Sequence, residues 1–226
     1  VGVVGPVRTG KTTMIKRMMD ELVIPCIDDP YRRERARDEL PQSGSGRTIM
    51  TSEPKFVPEE AVEISPDGKA RLRVRLIDSV GYMIPGAVGA TEDGQPRMVT
   101  TPWYDHEIPM TEAAELGTKK VMEEHCTIGL VVTTDGTVTD IPRSDYIEAE
   151  DKAIRDMQAT GKPFLVIVNS SLPGGEAAKA VRDGIQSKYG VQAAIADCQA
   201  MTADDISDLL TQLLYAFPMA QLQVLL

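Results

Sequence analysis

At 226 residues with 42% hydrophobic side chains, the sequence is long enough to bury a full core as one large α/β domain. Its 24 Lys and Arg against 34 Asp and Glu give a net charge of -10 and a pI near 4.8, which opposes nucleic acid as a partner, because phosphate contacts need clustered cations that outnumber nearby acids. Cys26, Cys126 and Cys198 are scattered without a C-x-x-C pair, as in a reduced, cytoplasmic protein, and no apolar run approaches the roughly 18 residues of a membrane-spanning helix, nor does a secretion leader open the chain.

The sequence opens on the apolar run Val1-Gly2-Val3-Val4, read as a buried strand, followed at once by Gly5-Pro6-Val7-Arg8-Thr9-Gly10-Lys11-Thr12. This is a G-x-x-x-x-G-K-T phosphate-binding loop, and the pattern over 14–22 predicts the helix whose N-terminus must face the anion. A short, highly charged helix is expected over 31–40, with Arg32, Arg33, Arg35 and Arg37 interleaved with Glu34, Asp38 and Glu39 as solvated ion pairs. A Gly/Ser loop over 42–47 leads to Thr48-Ile49-Met50-Thr51-Ser52-Glu53-Pro54. Runs over 56–64 and 70–78 flank Ser65-Pro66-Asp67-Gly68 and predict an antiparallel hairpin. In its second arm Arg71, Arg73 and Arg75 alternate with Leu72, Val74 and Leu76, which gives that strand one solvated face or places it near an edge.

The Gly- and Pro-rich stretch 81–109 shows little periodicity and is expected to be a functional or mobile element. Regular alternation then resumes: helices over 111–125, 146–160, 176–188 and 203–215, and strands over 128–133, 164–168 and 192–196. The whole reads as a P-loop NTPase of the GTPase-like type, a mostly parallel sheet with one antiparallel hairpin strand and helices on both faces. It begins in mid-strand without Met and ends on an apolar tail, so residues 1–218 are expected to be one domain of a longer protein and 219–226 the start of a further segment.

Gly5, Arg8, Thr9, Gly10, Lys11, Thr12 and Thr13 are the candidate contacts to a nucleotide, with Lys11 on the β and γ phosphates and the Thr12 hydroxyl on Mg²⁺. Asp78-Ser79-Val80-Gly81 supplies a second element: a carboxylate to hold the metal or its water, and a glycine N–H to meet the γ-phosphate. Thr51, or alternatively Thr48, would close over the metal. Where many such hydrolases carry a water-orienting Gln after the glycine, this chain has Tyr82, so water positioning falls to another group, with His106 and Glu107 as candidates. Arg8 is a candidate built-in substitute for an arginine finger or a monovalent cation. The guanine-reading pattern N-K-x-D is represented by Asn169-Ser170-Ser171-Leu172. Only Asn169 survives, and the loss of the buried acceptor predicts ATP over GTP.

Further strings carry a closer likeness: Ala36-Arg37-Asp38-Glu39-Leu40-Pro41-Gln42-Ser43, the Thr48–Phe56 segment, Val74-Arg75-Leu76-Ile77-Asp78, Thr101-Pro102-Trp103-Tyr104-Asp105-His106-Glu107-Ile108-Pro109 and Gly129-Leu130-Val131-Val132-Thr133-Thr134-Asp135-Gly136. With the phosphate loop, they make the chain resemble the amino-terminal ATPase domain of the stage IV sporulation protein A family of spore-coat morphogenetic ATPases. The resemblance implies ATP and Mg²⁺ as cofactors, with hydrolysis driving irreversible self-assembly into a shell on the mother-cell side of the forespore. It also implies recruitment by a small amphipathic membrane-surface protein, and later coat proteins as partners, through regions outside this sequence. Carried over by position, Lys11 and Thr12 take the phosphate and metal roles, Asp78 the second metal contact and Thr51 the sensing of the γ-phosphate. Ser52 stands where a second threonine is common, which leaves the sensing hydroxyl open. Two other classes compete: a regulatory or assembly GTPase cycling between partner-binding states, and a small-molecule kinase, against which the hairpin and the D-x-x-G argue.

Overall fold

The computed structural model describes residues 1–41, 53–65, 71–92 and 94–217. Six strands form the central sheet: β1 (Gly2–Val4), β2 (Lys55–Ile64), β3 (Leu72–Asp78), β8 (Gly129–Thr134), β9 (Phe164–Asn169) and β10 (Ala193–Ala196). Their spatial order is β10-β9-β8-β1-β3-β2, parallel throughout except for β2, which runs antiparallel along β3. The expected mostly parallel sheet with one antiparallel strand is therefore observed. The alternating arginines of β3 lie one strand in from the edge; the edge itself is β2.

Every residue of β8 is buried, its apolar run and the two threonines that end it alike, as a strand of a parallel sheet covered by helices on both faces requires. Successive side chains divide between two cores. On one face Val3, Leu130, Val132, Leu165 and Ile167 meet Met14, Ile15 and Met18 of α1 (Lys11–Met18) and Ile206, Leu209, Leu210 and Leu213 of α6 (Ala203–Tyr215). On the other, Val4, Ile77, Val131, Val166 and Val168 meet Met110 and Ala114 of α3 (Met110–Lys120), Ala153, Ile154 and Met157 of α4 (Ile147–Ala159) and Ile185 of α5 (Glu176–Tyr189). The period of two in the strands and the stripes on the helices produce this sandwich without further instruction.

Local signals set the ends. Thr202 and Asp205 form a reciprocal capping box that starts α6, and Gly190 closes α5 in a left-handed conformation. The charged helix α2 (Pro30–Asp38) is capped by Asp29 and buries only Ala36. Its charges do more than solvate it: Arg32 and Arg35 pair with Glu60 and Glu59 of β2, and Glu39 Oε2 accepts the Glu59 amide at 2.9 Å. Glu39 and the arginines thereby cover part of the exposed sheet edge. The first helix starts at Lys11, three residues before the apolar pattern suggests, and both α1 and α3 continue into a π-turn, Met19–Val23 and Val121–His125. Between Gly81 and Pro109 the chain is not wholly irregular: it carries two small antiparallel ribbons, β4 (Thr91–Glu92) with β5 (Gln95–Pro96) and β6 (Met98–Val99) with β7 (Ile108–Pro109).

Candidate functional site

β1 is central, so the loop after it emerges at the carboxyl end of the sheet, beside the ends of β3 and β8. Gly5 has φ 131, and a β-carbon there would lie 2.2 Å from the Val132 carbonyl oxygen. Any side chain would force the loop off β8. Arg8 is left-handed at φ 64 and Gly10 caps α1 at φ 96. The turn thus presents the first amides of α1, at Lys11, Thr12 and Thr13, which have no intrahelical acceptor. Lys11 is 5% exposed and donates to the Pro6 carbonyl at 2.6 Å, as does the Thr9 hydroxyl at 3.0 Å. Burial lowers the Lys11 pKa to about 8; Asp78 pulls it back up and the charge of Arg8 adds to the lowering. Arg8 also reaches Tyr146 electrostatically, at the start of α4.

The Thr12 hydroxyl donates to Asp78 Oδ2 at 2.7 Å, joining helix α1 to the end of β3. Asp78 is 8% exposed, and its other oxygen, Oδ1, is buried and has no hydrogen-bond partner among the described residues. Burial raises its pKa against the opposing effects of Thr12, Lys11 and Lys55. A buried carboxylate oxygen left over beside a threonine hydroxyl fits a hard divalent cation or one of its waters. Among the described residues no three His, Cys, Asp or Glu side chains cluster as a metal cage. Mg²⁺ takes few protein ligands and relies on phosphate oxygens and water.

Past Asp78 the chain zips onto the phosphate loop. Ser79 bonds to the Val3 carbonyl through its hydroxyl, Tyr82 N–H donates to Gly5 O at 3.1 Å, and Val7 N–H donates to Tyr82 O at 2.8 Å. Gly81 is pressed into the resulting corner: a β-carbon there would sit 2.4 Å from both Gly5 O and Lys11 Nζ, at a φ of 97. Its amide donates to the Thr118 hydroxyl of α3 at 3.0 Å. Tyr82 is 3% exposed, and its hydroxyl donates to Asp156 of α4 at 2.5 Å, which with burial holds its pKa far up. The residue in the usual water-orienting place is therefore part of the α3–α4 packing.

The other predicted residues divide. Asn169 ties two loops together, donating to Thr9 O at 2.9 Å while its Oδ1 accepts the Cys198 amide at 3.0 Å. His106 and Glu107 are exposed; His106 Nδ1 lies 3.1 Å from Asp105, and among the described residues neither is hydrogen-bonded or ion-paired to Lys11 or Asp78. Thr48, Thr51 and Ser52 fall outside the described residues. The segment that carries them resumes where Lys55 pairs with Asp78, and Pro54 and the Trp103 ring both pack against Gly117 of α3.

Sequence reasoning missed two polar groups at the end of β8. Asp135 accepts from the amide and hydroxyl of Thr137 through Oδ1 and from the Ser170 hydroxyl through Oδ2 at 2.7 Å. Beneath it, buried Glu150 of α4 takes Arg143 at 2.7 Å on one oxygen and the Thr133 hydroxyl on the other. The signal for the first was present, since Asp135-Gly136-Thr137 and Ser170 come after adjacent strands at the same end of the sheet. Glu150 sits in a helix whose composition gives no sign of burial. Ser170, in the lysine slot of the guanine motif, donates its hydroxyl to Asp135 and accepts the Leu172 amide at 3.0 Å, and Leu172, in the aspartate slot, is 67% exposed.

Comparison with known proteins adds family to geometry. The family model described as "Stage IV sporulation protein A, ATPase domain" matches residues 1–218. The chain is 47% identical to stage IV sporulation protein A of Bacillus anthracis over 223 residues and 47% identical to that of Bacillus subtilis (strain 168) over 224. The protein of the same name from Clostridioides difficile (strain 630) is 46% identical over 224 residues. Each match covers 99% of this chain and 45% or 46% of the relative, so the chain spans about half the length of the curated relatives it matches.

Proposed function

The chain belongs to the stage IV sporulation protein A family, as its ATPase domain, and from that premise we propose that it hydrolyses ATP with Mg²⁺ to drive self-assembly of a static polymer, the basement layer of the spore coat. The polymer lies on the mother-cell face of the forespore outer membrane, recruited by a small amphipathic membrane-surface protein and built upon by other coat proteins through regions outside this chain. No described helix is long and apolar enough to cross a membrane, which is compatible with attachment through partners.

The observation that carries the catalytic part is the joint between Thr12 and Asp78, with Asp78 Oδ1 buried and unpartnered among the described residues. Those two residues would hold Mg²⁺, which on binding neutralises phosphate charge and polarises the terminal phosphoryl group. Lys11 supplies a buried cation that exchanges the Pro6 carbonyl for phosphate oxygens, and the amides opening α1 orient the β-phosphate. The corner formed by Gly5, Lys11 and Gly81 excludes water from the Lys11 side. Thr51 is proposed to report the γ-phosphate. Adenine is accepted because Leu172 offers no carboxylate to guanine and Ser170 is occupied by Asp135.

The test is sedimentation of the full-length protein with ATP and with a non-hydrolysable analogue, beside Thr51→Ala. Polymer should pellet with ATP, much less with the analogue, and Thr51→Ala should bind nucleotide yet turn it over slowly. Equal pelleting with both nucleotides would separate assembly from hydrolysis, and normal turnover by Thr51→Ala would remove it as the sensor.

A further inference from the structure

Thr118 stands on α3, fully buried, with both halves of its hydroxyl engaged: it donates to the Ala114 carbonyl at 2.7 Å and accepts the Gly81 amide at 3.0 Å. A helical threonine that satisfies its own i-4 carbonyl needs no second partner to be stable. The Gly81 amide is another matter. It is buried, it lies in the corner shared with Gly5 O and Lys11 Nζ, and an N–H of this kind has one proton to give. An acceptor arriving beside Lys11 and the acceptor on α3 cannot both receive that proton at full strength.

We propose that Thr118 is a positioning residue for Gly81: its hydroxyl competes with the terminal phosphate of a nucleoside triphosphate for the Gly81 amide, and so sets how strongly the site prefers triphosphate over diphosphate. The inference rests on the reading of Gly81 as the amide that meets the γ-phosphate. A diphosphate ends before that corner and leaves the Thr118 bond intact. A triphosphate must displace it, so part of the gain from the new hydrogen bond is offset by the loss of the old one. The Tyr82–Asp156 bond and the backbone pairing of Tyr82 with Gly5 and Val7 fix the segment after Gly81, and the Ser79 hydroxyl, bonded to the Val3 carbonyl, fixes it before. The exchange is thereby confined to the peptide unit of Gly81, the residue with the conformational freedom to turn.

The arrangement distinguishes Thr118 from a mere packing residue. If the hydroxyl acts only by supporting α3, its removal weakens both nucleotides alike. If it competes for the amide, its removal leaves the diphosphate untouched and strengthens the triphosphate, because the amide then has no other partner. One ordinary hydrogen bond corresponds to about a fivefold change in the ratio of the two affinities.

The experiment is calorimetric titration of the full-length protein with Mg²⁺ and either ADP or a non-hydrolysable ATP analogue. The proteins compared are the wild type, Thr118→Val, which keeps the shape, and Thr118→Ser, which keeps the hydroxyl. The ratio of ADP to analogue dissociation constants should rise about fivefold in Thr118→Val and return to the wild-type value in Thr118→Ser. An unchanged ratio in Thr118→Val, or a common loss of both affinities, overturns the proposal. Lys11→Ala separates this failure from that of the site: if it binds the analogue as tightly as wild type, the phosphate site itself is misplaced and the Thr118 proposal falls with it. If it loses binding while the Thr118→Val ratio stays flat, the Thr118 proposal alone is overturned.

Discussion

Lys11 carries its charge at a cost in burial, and that makes nucleotide affinity depend on pH in a way that can be worked out in advance. Burial lowers its pKa to about 8, while Asp78 favours the charged form and Arg8 opposes it. With phosphate oxygens in place of a single carbonyl, Lys11 retains its proton well above pH 8, so the bound form holds more protons than the free form from about pH 8 upward. Affinity should be level below that point and fall above it. The free protein has about nine-tenths of its Lys11 charged at pH 7 and about one-tenth at pH 9, a loss of about tenfold in affinity across that interval. Titration at pH 8.5 in two buffers of different ionisation enthalpy should register uptake of about three-quarters of a proton per nucleotide. Lys11→Arg, which stays charged throughout, should remove this uptake even if it binds more weakly. Without nucleotide the sign reverses for stability: the unfolded chain holds the Lys11 proton up to its ordinary 10.5 and the folded chain only to about 8. The free protein therefore gains stability from this group as pH rises between those values. No proton uptake and a level affinity from pH 7 to 9 would refute the assignment of a buried, partly discharged lysine to the phosphate site.

Three further outcomes are expected. Asp78→Asn keeps an oxygen for the Thr12 hydroxyl but removes the negative charge, so it should weaken nucleotide binding in Mg²⁺ while changing little in EDTA; an equal loss in both would make Asp78 a folding residue rather than a metal one. Leu172→Asp restores the carboxylate of the guanine motif at an exposed position and should shift competition between GTP and ATP toward GTP by about tenfold, the worth of a charged hydrogen bond or two; an unchanged ratio would mean that the base does not lie at the end of β9. Glu150→Ala strands the guanidinium of Arg143 and the Thr133 hydroxyl and should cost about 3 kcal/mol in urea unfolding at unchanged m-value, partly recovered in the double variant with Arg143→Ala.

The sheet and its helices are legible in the sequence because most strands of the parallel half carry a continuous apolar core, while β3 instead alternates, and each helix shows a stripe; α6 falls on the residues its pattern indicates. The phosphate loop is legible for a different reason: its chemistry is carried by backbone geometry that only glycines permit, and glycines are visible in a sequence. The start of α1 precedes its apolar pattern by three residues because Lys11, Thr12 and Thr13 are helical without being apolar. Periodicity sees the face a helix buries, while the first turn here opens out of the phosphate loop. The ribbons within residues 81–109 leave no such mark, because strands of two residues have no period to detect.

The polar contacts that shape the site are hidden by a different cause, and Asn169 and Gly81 show it. As letters, both belong to motifs that touch nucleotide. In the structure Asn169 spends its amide on Thr9 and Cys198, and Gly81 gives its proton to Thr118. Which partner a polar group takes depends on residues tens of positions away, brought near by crossovers of the sheet, and no local pattern records that choice. Tyr82 makes the point in reverse. Its departure from the usual glutamine is plain in the sequence, but only its burial and the bond to Asp156 show that the side chain is held by α4. With Tyr82 held by Asp156, water orientation at a bound γ-phosphate would fall to another group, and the Gly81 amide that Thr118 holds is the contact on which the proposed preference for triphosphate turns.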